Sequence, residues 1–411
     1  MLIKRKLLAD LKAHLSQKEI TLIVGPRQAG KTTLMLALKK YLEEKGEKTV
    51  FFNLDIETDG EYFTSQAKLI QKIQLELGPH SGFVFIDEIQ RKENAGLFLK
   101  GIYDMNLPYK FIVSGSGSLE LKEKIQESLV GRKRIFPLFP LSFEEFVNFK
   151  TEYRYEKKLP LFFALEKEKT ANLLEEYLDF GGYPRVALAP TAPEKKAILQ
   201  DIYQSYLEKD ISYLLKIKKT ESFGKLVRLL ASQVAMLVNF SELSSTLGLS
   251  AETIKNYLWY LEKTFILQKI TPYFKNLRKE ITKSPIYYFC DLGLRNYSLG
   301  SFSDGFLFQN FVFNLLKEKY PGEKIHFWRT KDKAEIDFIL ETPQGPLPLE
   351  TKYAHLKEVK LTRGLQSFLK KYQPRQAFVV NLSLKKTIFW SKTKVHFIPF
   401  WEAASFISPI F

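Results

Sequence analysis

A phosphate-binding pattern of the form GxxxxGK(S/T) occupies Gly25 to Thr32 and offers the clearest chemistry in the sequence. The apolar run 20–24 before it predicts a buried strand, and the run 33–38 after it predicts a helix. A turn between such elements points backbone N–H groups and a helix N-terminus at a polyphosphate. Lys31 then reaches the β- and γ-phosphates, while the Thr32 hydroxyl binds Mg²⁺. We therefore expect ATP as a ligand, held by Gly25, Pro26, Arg27, Gln28, Ala29, Gly30, Lys31, Thr32 and Thr33.

A pair of carboxylates, Asp87 and Glu88, directly follows the apolar run 83–86, which predicts another buried strand. A carboxylate at the carboxyl end of a strand near the phosphate loop can hold Mg²⁺ through its water shell. A second carboxylate beside it can orient and deprotonate the attacking water. The sequence predicts the first role for Asp87 and the second for Glu88.

Two further candidates follow the next predicted strand, 109–113. Ser114 or Ser116 would lie between the loop strand and the Asp-Glu strand, close to the γ-phosphate, and Ser116 is included in the predicted catalytic set. A Gly/Ser turn that caps the following helix is an equally open interpretation. Arg132 is a candidate arginine finger for a neighbouring subunit's γ-phosphate. Arg134 competes for that role, and a solvated basic turn is the alternative.

The composition limits the classes of protein to consider. A chain of 411 residues exceeds one ordinary core, so two or three domains are expected. Its 62 basic and 46 acidic residues give a net charge of +16, which indicates either a polyanionic partner or a generally lysine-rich surface. The single cysteine, Cys290, excludes an internal disulfide. The longest apolar runs are too short for a membrane span, so we expect a cytoplasmic protein without a membrane partner.

The order of predicted elements indicates the fold. Strands and helices alternate up to about residue 140, which predicts a parallel sheet with right-handed crossovers. A helical region follows, from 141 to 215. From 221 onward, a helix, a short helix, a turn and a third helix precede two strands around a basic stretch, the arrangement of a winged helix.

This winged helix has candidate DNA contacts on its third helix and in its wing. Thr253, Lys255 and Asn256 would face the major groove, and a basic set would meet phosphates, namely Lys275, Arg278, Lys279 and Lys283. Winged helices also serve as protein-interaction modules, and this alternative stays open.

A second acidic cluster lies in the last hundred residues. Asp337, Glu350 and Lys352 follow the spacing D-x12-E-x-K, and Glu350 and Lys352 project from the same face of one predicted strand. The two carboxylates would bind Mg²⁺ while Lys352 polarises a scissile phosphate. A surface ion pair with Lys352, worth under ~1 kcal/mol, is the alternative.

Taken together, these motifs resemble a family of prokaryotic AAA-type ATPases that joins a P-loop core to a winged helix and a restriction-endonuclease-like module. The resemblance is carried by residues 25–34, 85–90, 114–116, 131–132, 140–146 and 181–184. It implies that Lys31, Thr32, Asp87 and Glu88 serve nucleotide chemistry, and that a helical lid follows the core. It also implies a PD-(D/E)xK nuclease fold at the C-terminus. Gln309 stands where such nucleases usually have glutamate, and a neutral amide binds Mg²⁺ more weakly.

The expected fold is therefore multidomain α/β, with a P-loop core at 1–145, a helical lid or linker at 146–218, a winged helix at 219–300 and a nuclease-like domain at 301–411. The expected function is that of a Mg²⁺-dependent, oligomeric ATPase that binds or remodels nucleic acid, most simply DNA, with little or no cleavage. One alternative is an ATP-controlled oligomerisation switch that recruits proteins. The other is an ATP-gated DNA nuclease. Arg185, after the turn at 181–184, is interpreted as a surface arginine, and contact with phosphate is the open alternative.

Overall fold

The computed structural model describes residues 3–116, 128–206, 220–274, 283–300, 305–320 and 322–403, without the side chains of Ser116 and Thr220. The chain divides into two compact units. The first comprises Met1–Leu141, Tyr183–Thr220 and Trp259–Ile266, and the second comprises Ser142–Gly182, Glu221–Leu258 and Leu267–Phe411. Each unit contains its own sheet, so the prediction of a multidomain α/β fold is confirmed.

Strands and helices are numbered in chain order. The strands are β1 (Ile20–Gly25), β2 (Thr49–Asn53), β3 (Gly82–Asp87), β4 (Tyr109–Ser116), β5 (Lys133–Pro137), β6 (Leu267–Ile270), β7 (Ile286–Phe289), β8 (Ile325–Arg329), β9 (Glu335–Thr342), β10 (Gly345–Thr351), β11 (Gln376–Asn381), β12 (Lys386–Trp390) and β13 (Thr393–Pro399). The helices are α1 (Leu7–Ala13), α2 (Lys31–Glu43), α3 (Glu57–Gly60), α4 (Gln66–Leu77), α5 (Ala95–Asp104), α6 (Phe143–Lys150), α7 (Leu159–Leu165), α8 (Lys167–Phe180), α9 (Pro184–Leu188), α10 (Ala192–Ser205), α11 (Thr220–Ser232), α12 (Phe240–Leu247), α13 (Ala251–Lys263), α14 (Leu292–Leu299), α15 (Gly305–Lys319) and α16 (Arg363–Tyr372).

The first unit is built on a five-stranded parallel sheet in the order β2-β3-β4-β1-β5. All six residues of β1 are buried, because helices cover both faces of such a sheet. Parallel strands carry their carboxyl ends at one edge. Gly25, Asp87 and Ser114 therefore collect at the same edge, as the alternating sequence pattern predicted.

The second unit contains a six-stranded mixed sheet in the order β12-β13-β11-β10-β9-β8. Neighbouring strands β8–β9, β9–β10 and β12–β13 are antiparallel, whereas β10–β11 and β11–β13 are parallel. Helix α16 connects β10 to β11 and buries an apolar stripe against the sheet, formed by Leu365, Phe368 and Leu369. The stripe repeats every three to four residues, which is the spacing of one helix face.

Helices α11, α12 and α13 occur where the sequence predicted three helices, and the antiparallel pair β6–β7 follows them. The predicted apolar stripe of α11 is buried, and the ring of Phe223 lies 5.1 Å from that of Tyr257 on α13. Asn239 caps the start of α12, and Gly248 ends it in the left-handed conformation. The basic residues Lys275, Arg278 and Lys279 lie outside the described residues.

A buried polar link in the second unit holds α14 against the end of α8. The Asp291 carboxylate accepts hydrogen bonds from the backbone N–H groups of Gly182 and Leu294, each at 2.8 Å. Complete burial raises the pKa of Asp291 to about 6. The Asn296 amide donates to the carbonyls of Leu178 and Asp179 at 2.9 and 3.0 Å. These bonds fix the glycine turn at 181–182.

None of the helices in the described ranges is both long enough and apolar enough to cross a membrane.

The close approach of α14 to α8 generates a stability prediction. A Cβ atom at Gly293 would lie 2.0 Å from the backbone oxygen of Phe180, which cannot move without disturbing α8. We expect Gly293→Ala to reduce the free energy of unfolding by about 1–3 kcal/mol, as overpacking does elsewhere. Urea denaturation followed by circular dichroism measures this. Gly305→Ala is the matched control, because an added Cβ there meets nothing within 4 Å. Equal stability of the two variants would contradict the prediction.

Candidate nucleotide site

The phosphate-binding loop between β1 and α2 contains two residues in the left-handed conformation. Gln28 has φ 59° and Gly30 has φ 94°, a value that side-chain-bearing residues rarely adopt. Helix α2 begins at Lys31, and no side chain caps its first turn. The N-terminal end of α2 and the positive end of its dipole therefore suit an anion at this point.

Lys31 lies under the loop rather than in solvent. Its side chain is only 5% exposed, and its ammonium group donates to the carbonyl oxygens of Gly25 and Pro26 at 3.1 and 2.9 Å. The two carbonyls keep the positive charge at the mouth of the loop. A polyphosphate bound there would meet this cation beside the start of α2.

Asp87 joins three elements at the same edge of the sheet. Its carboxylate is 1% exposed and accepts hydrogen bonds from the hydroxyl of Thr32, at 2.6 Å, and from the hydroxyl of Ser114. Hydroxyl and carboxylate oxygens are the donors that Mg²⁺ prefers, so Thr32 and Asp87 fit the metal role predicted for them. Ser114 contacts Asp87 directly. The side chain of Ser116, the other serine predicted to lie close to the γ-phosphate, lies outside the described residues.

Glu88 follows with a strained backbone, at φ 55°. Its side chain is partly buried and accepts a hydrogen bond from the amide of Gln90. Burial raises the pKa of Glu88, and the nearby Lys31 opposes that shift. The structure thus places this carboxylate within the electrostatic reach of the loop cation, beside Asp87.

Two arginines that sequence reasoning did not assign to the site contact the loop. Arg5, just before α1, donates to the carbonyl of Ala29 at 2.9 Å and to that of Phe139 at 2.6 Å. It connects the loop to the segment after β5. Its sequence context is only a basic stretch, which carries no signal for this contact.

Arg185 is the second of these arginines. Its guanidinium donates to the side-chain oxygen of Gln28 at 2.9 Å and lies 4.0 Å from Asp201. The side chain is 55% exposed, so the interpretation as a surface arginine is correct but incomplete. In the sequence, the turn at 181–184 just before Arg185 was the feature that could have pointed to this contact.

Arg132 lies far from the loop of its own chain. It precedes β5, and Lys133 pairs with Ile20 at the opposite edge of the sheet from Gly25. At ~3.3 Å per residue, β1 separates the two edges by roughly 16 Å. The guanidinium forms a 2.7 Å ion pair with Asp104. Arg134 lies 5.7 Å from the ring of Phe136. A role on a neighbouring subunit stays a prediction for either arginine.

The C-terminal cluster forms around the ends of β9 and β10. Asp337 accepts hydrogen bonds from the N–H and the hydroxyl of Thr351, at 2.7 and 2.8 Å. Glu350 accepts one from the hydroxyl of Thr362, and its other oxygen lies 4.0 Å from the Lys352 ammonium. Burial, with Asp337 adding to it, raises the pKa of Glu350 to about 7.

Gln309 on α15 points to a different partner. Its amide donates to the hydroxyl of Tyr288 at 2.9 Å, and both side chains are buried. Within the described ranges, no group of three or more His, Cys, Asp or Glu side chains is arranged to hold a metal ion. The cluster therefore offers two carboxylates and one ammonium group, and burial of both carboxylates raises their pKa values.

Three segments of the chain match known families. Residues 17–147 match the family described as "AAA domain". Residues 171–304 match a domain of unknown function (DUF8612), and residues 304–402 match another (DUF4143). The first match covers the loop, Asp87, Glu88 and Arg132, and it supports the class of P-loop ATPases for this part of the chain. The other two matches name no activity.

Two relatives of similar length are both described as uncharacterized proteins. An uncharacterized protein of Methanocaldococcus jannaschii is 25% identical over 410 residues, which is 96% of this chain and 90% of the relative. An uncharacterized protein of Haemophilus influenzae is 28% identical over 335 residues, which is 78% of this chain and 79% of the relative.

Solved structures with similarity to the chain include the Aeropyrum pernix Orc1 protein in complex with DNA. It has a TM-score of 0.33 and 13% identity, over 71% of this chain and 91% of that one. AMPPCP-bound DnaA from Aquifex aeolicus has a TM-score of 0.27 and 14% identity, over 62% and 87%. At these TM-scores the likeness carries no argument about this chain.

The contact between Arg185 and Gln28 generates a prediction for nucleotide binding. We expect Arg185→Ala to weaken ATP–Mg²⁺ binding roughly threefold to tenfold, because a half-exposed cation beside the loop is lost. Isothermal titration calorimetry measures the affinity. Arg154→Ala, which removes another exposed arginine, paired with Glu152, is the control. Unchanged affinity in Arg185→Ala would exclude Arg185 from the site.

Proposed function

We propose that the protein is a Mg²⁺-dependent AAA-type ATPase whose nucleotide state controls binding of nucleic acid, most simply DNA, by its C-terminal half. The main support for this proposal is the 2.6 Å hydrogen bond from the Thr32 hydroxyl to Asp87, beside the phosphate loop. It brings together the two oxygen donors that a nucleotide-bound Mg²⁺ requires.

The residues at the start of α2 and at the ends of β3 and β4 have separate roles in this proposal. The first turn of α2 and Lys31 bind the phosphates, and Thr32 and Asp87 hold Mg²⁺, which neutralises charge on the phosphates when bound. Ser114 fixes the orientation of Asp87. Glu88 orients the attacking water and accepts its proton, which is the part of the reaction that this chain's own chemistry supplies.

The proposed nucleic-acid role rests on charge and exposure. On α13, Lys255 and Asn256 are exposed while Ile254 and Tyr257 on the opposite face are buried. The chain carries a net charge of +16, which favours a polyanionic partner. We therefore propose a winged helix that contacts DNA through α13. We also propose a cytoplasmic location and a homo-oligomer in which Arg132 or Arg134 completes a neighbour's site.

The decisive test of the ATPase is Glu88→Gln. We expect this variant to keep ATP bound while its turnover falls about 10²–10⁴-fold, because an amide cannot accept the proton of the water. Phosphate release is measured with and without double-stranded DNA, single-stranded DNA and RNA. Glu93→Gln, an exposed position a few residues away, is the control. Hydrolysis by Glu88→Gln within about threefold of the parent would remove Glu88 as the base.

A nuclease is the second candidate function, favoured by the grouping of Asp337, Glu350 and Lys352. We propose that this module has the PD-(D/E)xK fold and binds nucleic acid with little or no cleavage. Two carboxylates leave most of a Mg²⁺ shell to water, so the metal needed for cleavage would be held weakly. We expect no turnover of labelled DNA with Mg²⁺ or Mn²⁺, measured on gels. Lys352→Ala and the exposed control Lys357→Ala then behave alike. Robust cleavage that only Lys352→Ala abolishes would establish the nuclease instead.

A further inference from the structure

A polar cavity of about 290 Å³ lies in the second unit, where the chain leaving β6 meets the start of β8. Three lysines line it, with one glutamate and one histidine, and the full charged set is Lys269, Lys317, Lys324, Glu323 and His326. The cavity uses none of the residues assigned above to ATP, to α13 or to the C-terminal cluster.

Backbone hydrogen bonds hold the walls of this cavity together. The N–H of Phe327 donates to the carbonyl of Thr271 at 3.2 Å, and the N–H of Tyr273 donates back to Phe327 at 2.6 Å. The Thr271 hydroxyl also lies 3.2 Å from Nδ1 of His326, which is 3% exposed. These bonds form a parallel bridge between Pro272 and Phe327, which joins the segment after β6 to β8 although the two strands belong to different sheets.

The lysines are the reason to expect an anion. Lys269 and Lys324 are exposed, and Lys317 is half-buried, with its ammonium 3.4 Å from the carbonyl of Glu323. Among the described residues, no carboxylate lies within ion-pair distance of these three ammonium groups. Burial lowers the pKa of Lys317 and the charge of Glu323 only partly opposes that shift, so a bound anion would further stabilise the charged form of Lys317.

The dimensions favour a small, polar group. Ligand cavities commonly measure on the order of 300–1,000 Å³ and are mostly apolar, so this one lies at the small end and is unusually polar. Three lysines that line one small cavity suit the tetrahedral oxygens of a phosphate, for which lysine acts as a mobile point charge.

We propose that this cavity binds a phosphate ester through Lys269, Lys317 and Lys324. We expect this phosphate to belong to the backbone of a nucleic acid that also contacts α13. This choice of ligand rests on the function proposed above. The affinity of the cavity for phosphate does not rest on it.

The experiment compares the full-length chain with two double variants of equal charge. Lys269→Gln/Lys324→Gln removes two cavity lysines, and Lys331→Gln/Lys386→Gln removes two exposed lysines elsewhere in the same unit. Fluorescence anisotropy measures the affinity for a labelled DNA duplex over a series of salt concentrations. We expect the slope of log affinity against log salt to fall by about one in the cavity variant, because one phosphate contact at ~0.9 is lost, and to stay unchanged in the control.

A second arm separates a free phosphate ester from a nucleic acid. Calorimetry with adenosine monophosphate is performed in a Lys31→Ala background, which weakens the loop site. If the heat of binding of adenosine monophosphate is lost in the cavity variant and kept in the control variant, the proposal is supported and the ligand is a free phosphate ester. If neither the full-length chain nor the variants bind DNA, the nucleic-acid role is excluded, and calorimetry alone then tests whether the cavity binds a phosphate ester. If cavity and control variants agree in both arms, the proposal is overturned.

Discussion

The buried carboxylate of Asp87 is the constraint on which the arrangement of the first unit depends. A carboxylate that is 1% exposed costs several kcal/mol of desolvation unless hydrogen bonds compensate it. Two hydroxyls do so here, one from Thr32 at the start of α2 and one from Ser114 on β4. The strand order β3-β4-β1 is what lets both reach the same carboxylate. The position of the phosphate loop is therefore set by the sheet and not by the loop alone.

The two acidic centres of the chain differ in their surroundings. Glu350 is also buried, yet its pKa is raised to about 7 because one hydroxyl and a distant ammonium group compensate it incompletely. On the neighbouring helix, Gln309 directs its amide to Tyr288. The C-terminal cluster therefore has carboxylates on two adjacent strands without the additional ligand that would favour tight metal binding.

Much of the first unit could be predicted because its signals are local. Glycine spacing, the apolar runs around it and the alternation of elements identified the loop, the sheet and the meeting of Thr32 with Asp87. The contacts of Arg5 with Ala29 and of Arg185 with Gln28 could not be predicted. They join residues 24 and 157 positions apart, and no periodicity marks an arginine that will reach a loop. The partner of Gln309 was equally hidden, because it depends on how α15 packs.

The left-handed backbone at Gln28 and Glu88 has a thermodynamic consequence. Such conformations cost on the order of 1–3 kcal/mol each for residues other than glycine, and both lie at the proposed phosphate and water positions. A ligand that binds only the folded chain recovers this energy by mass action, about 2.7 kcal/mol at a concentration one hundred times Kd. Resistance of the first unit to heat and to proteases should then follow the cellular level of its nucleotide. A chain deprived of nucleotide would be the form most readily degraded.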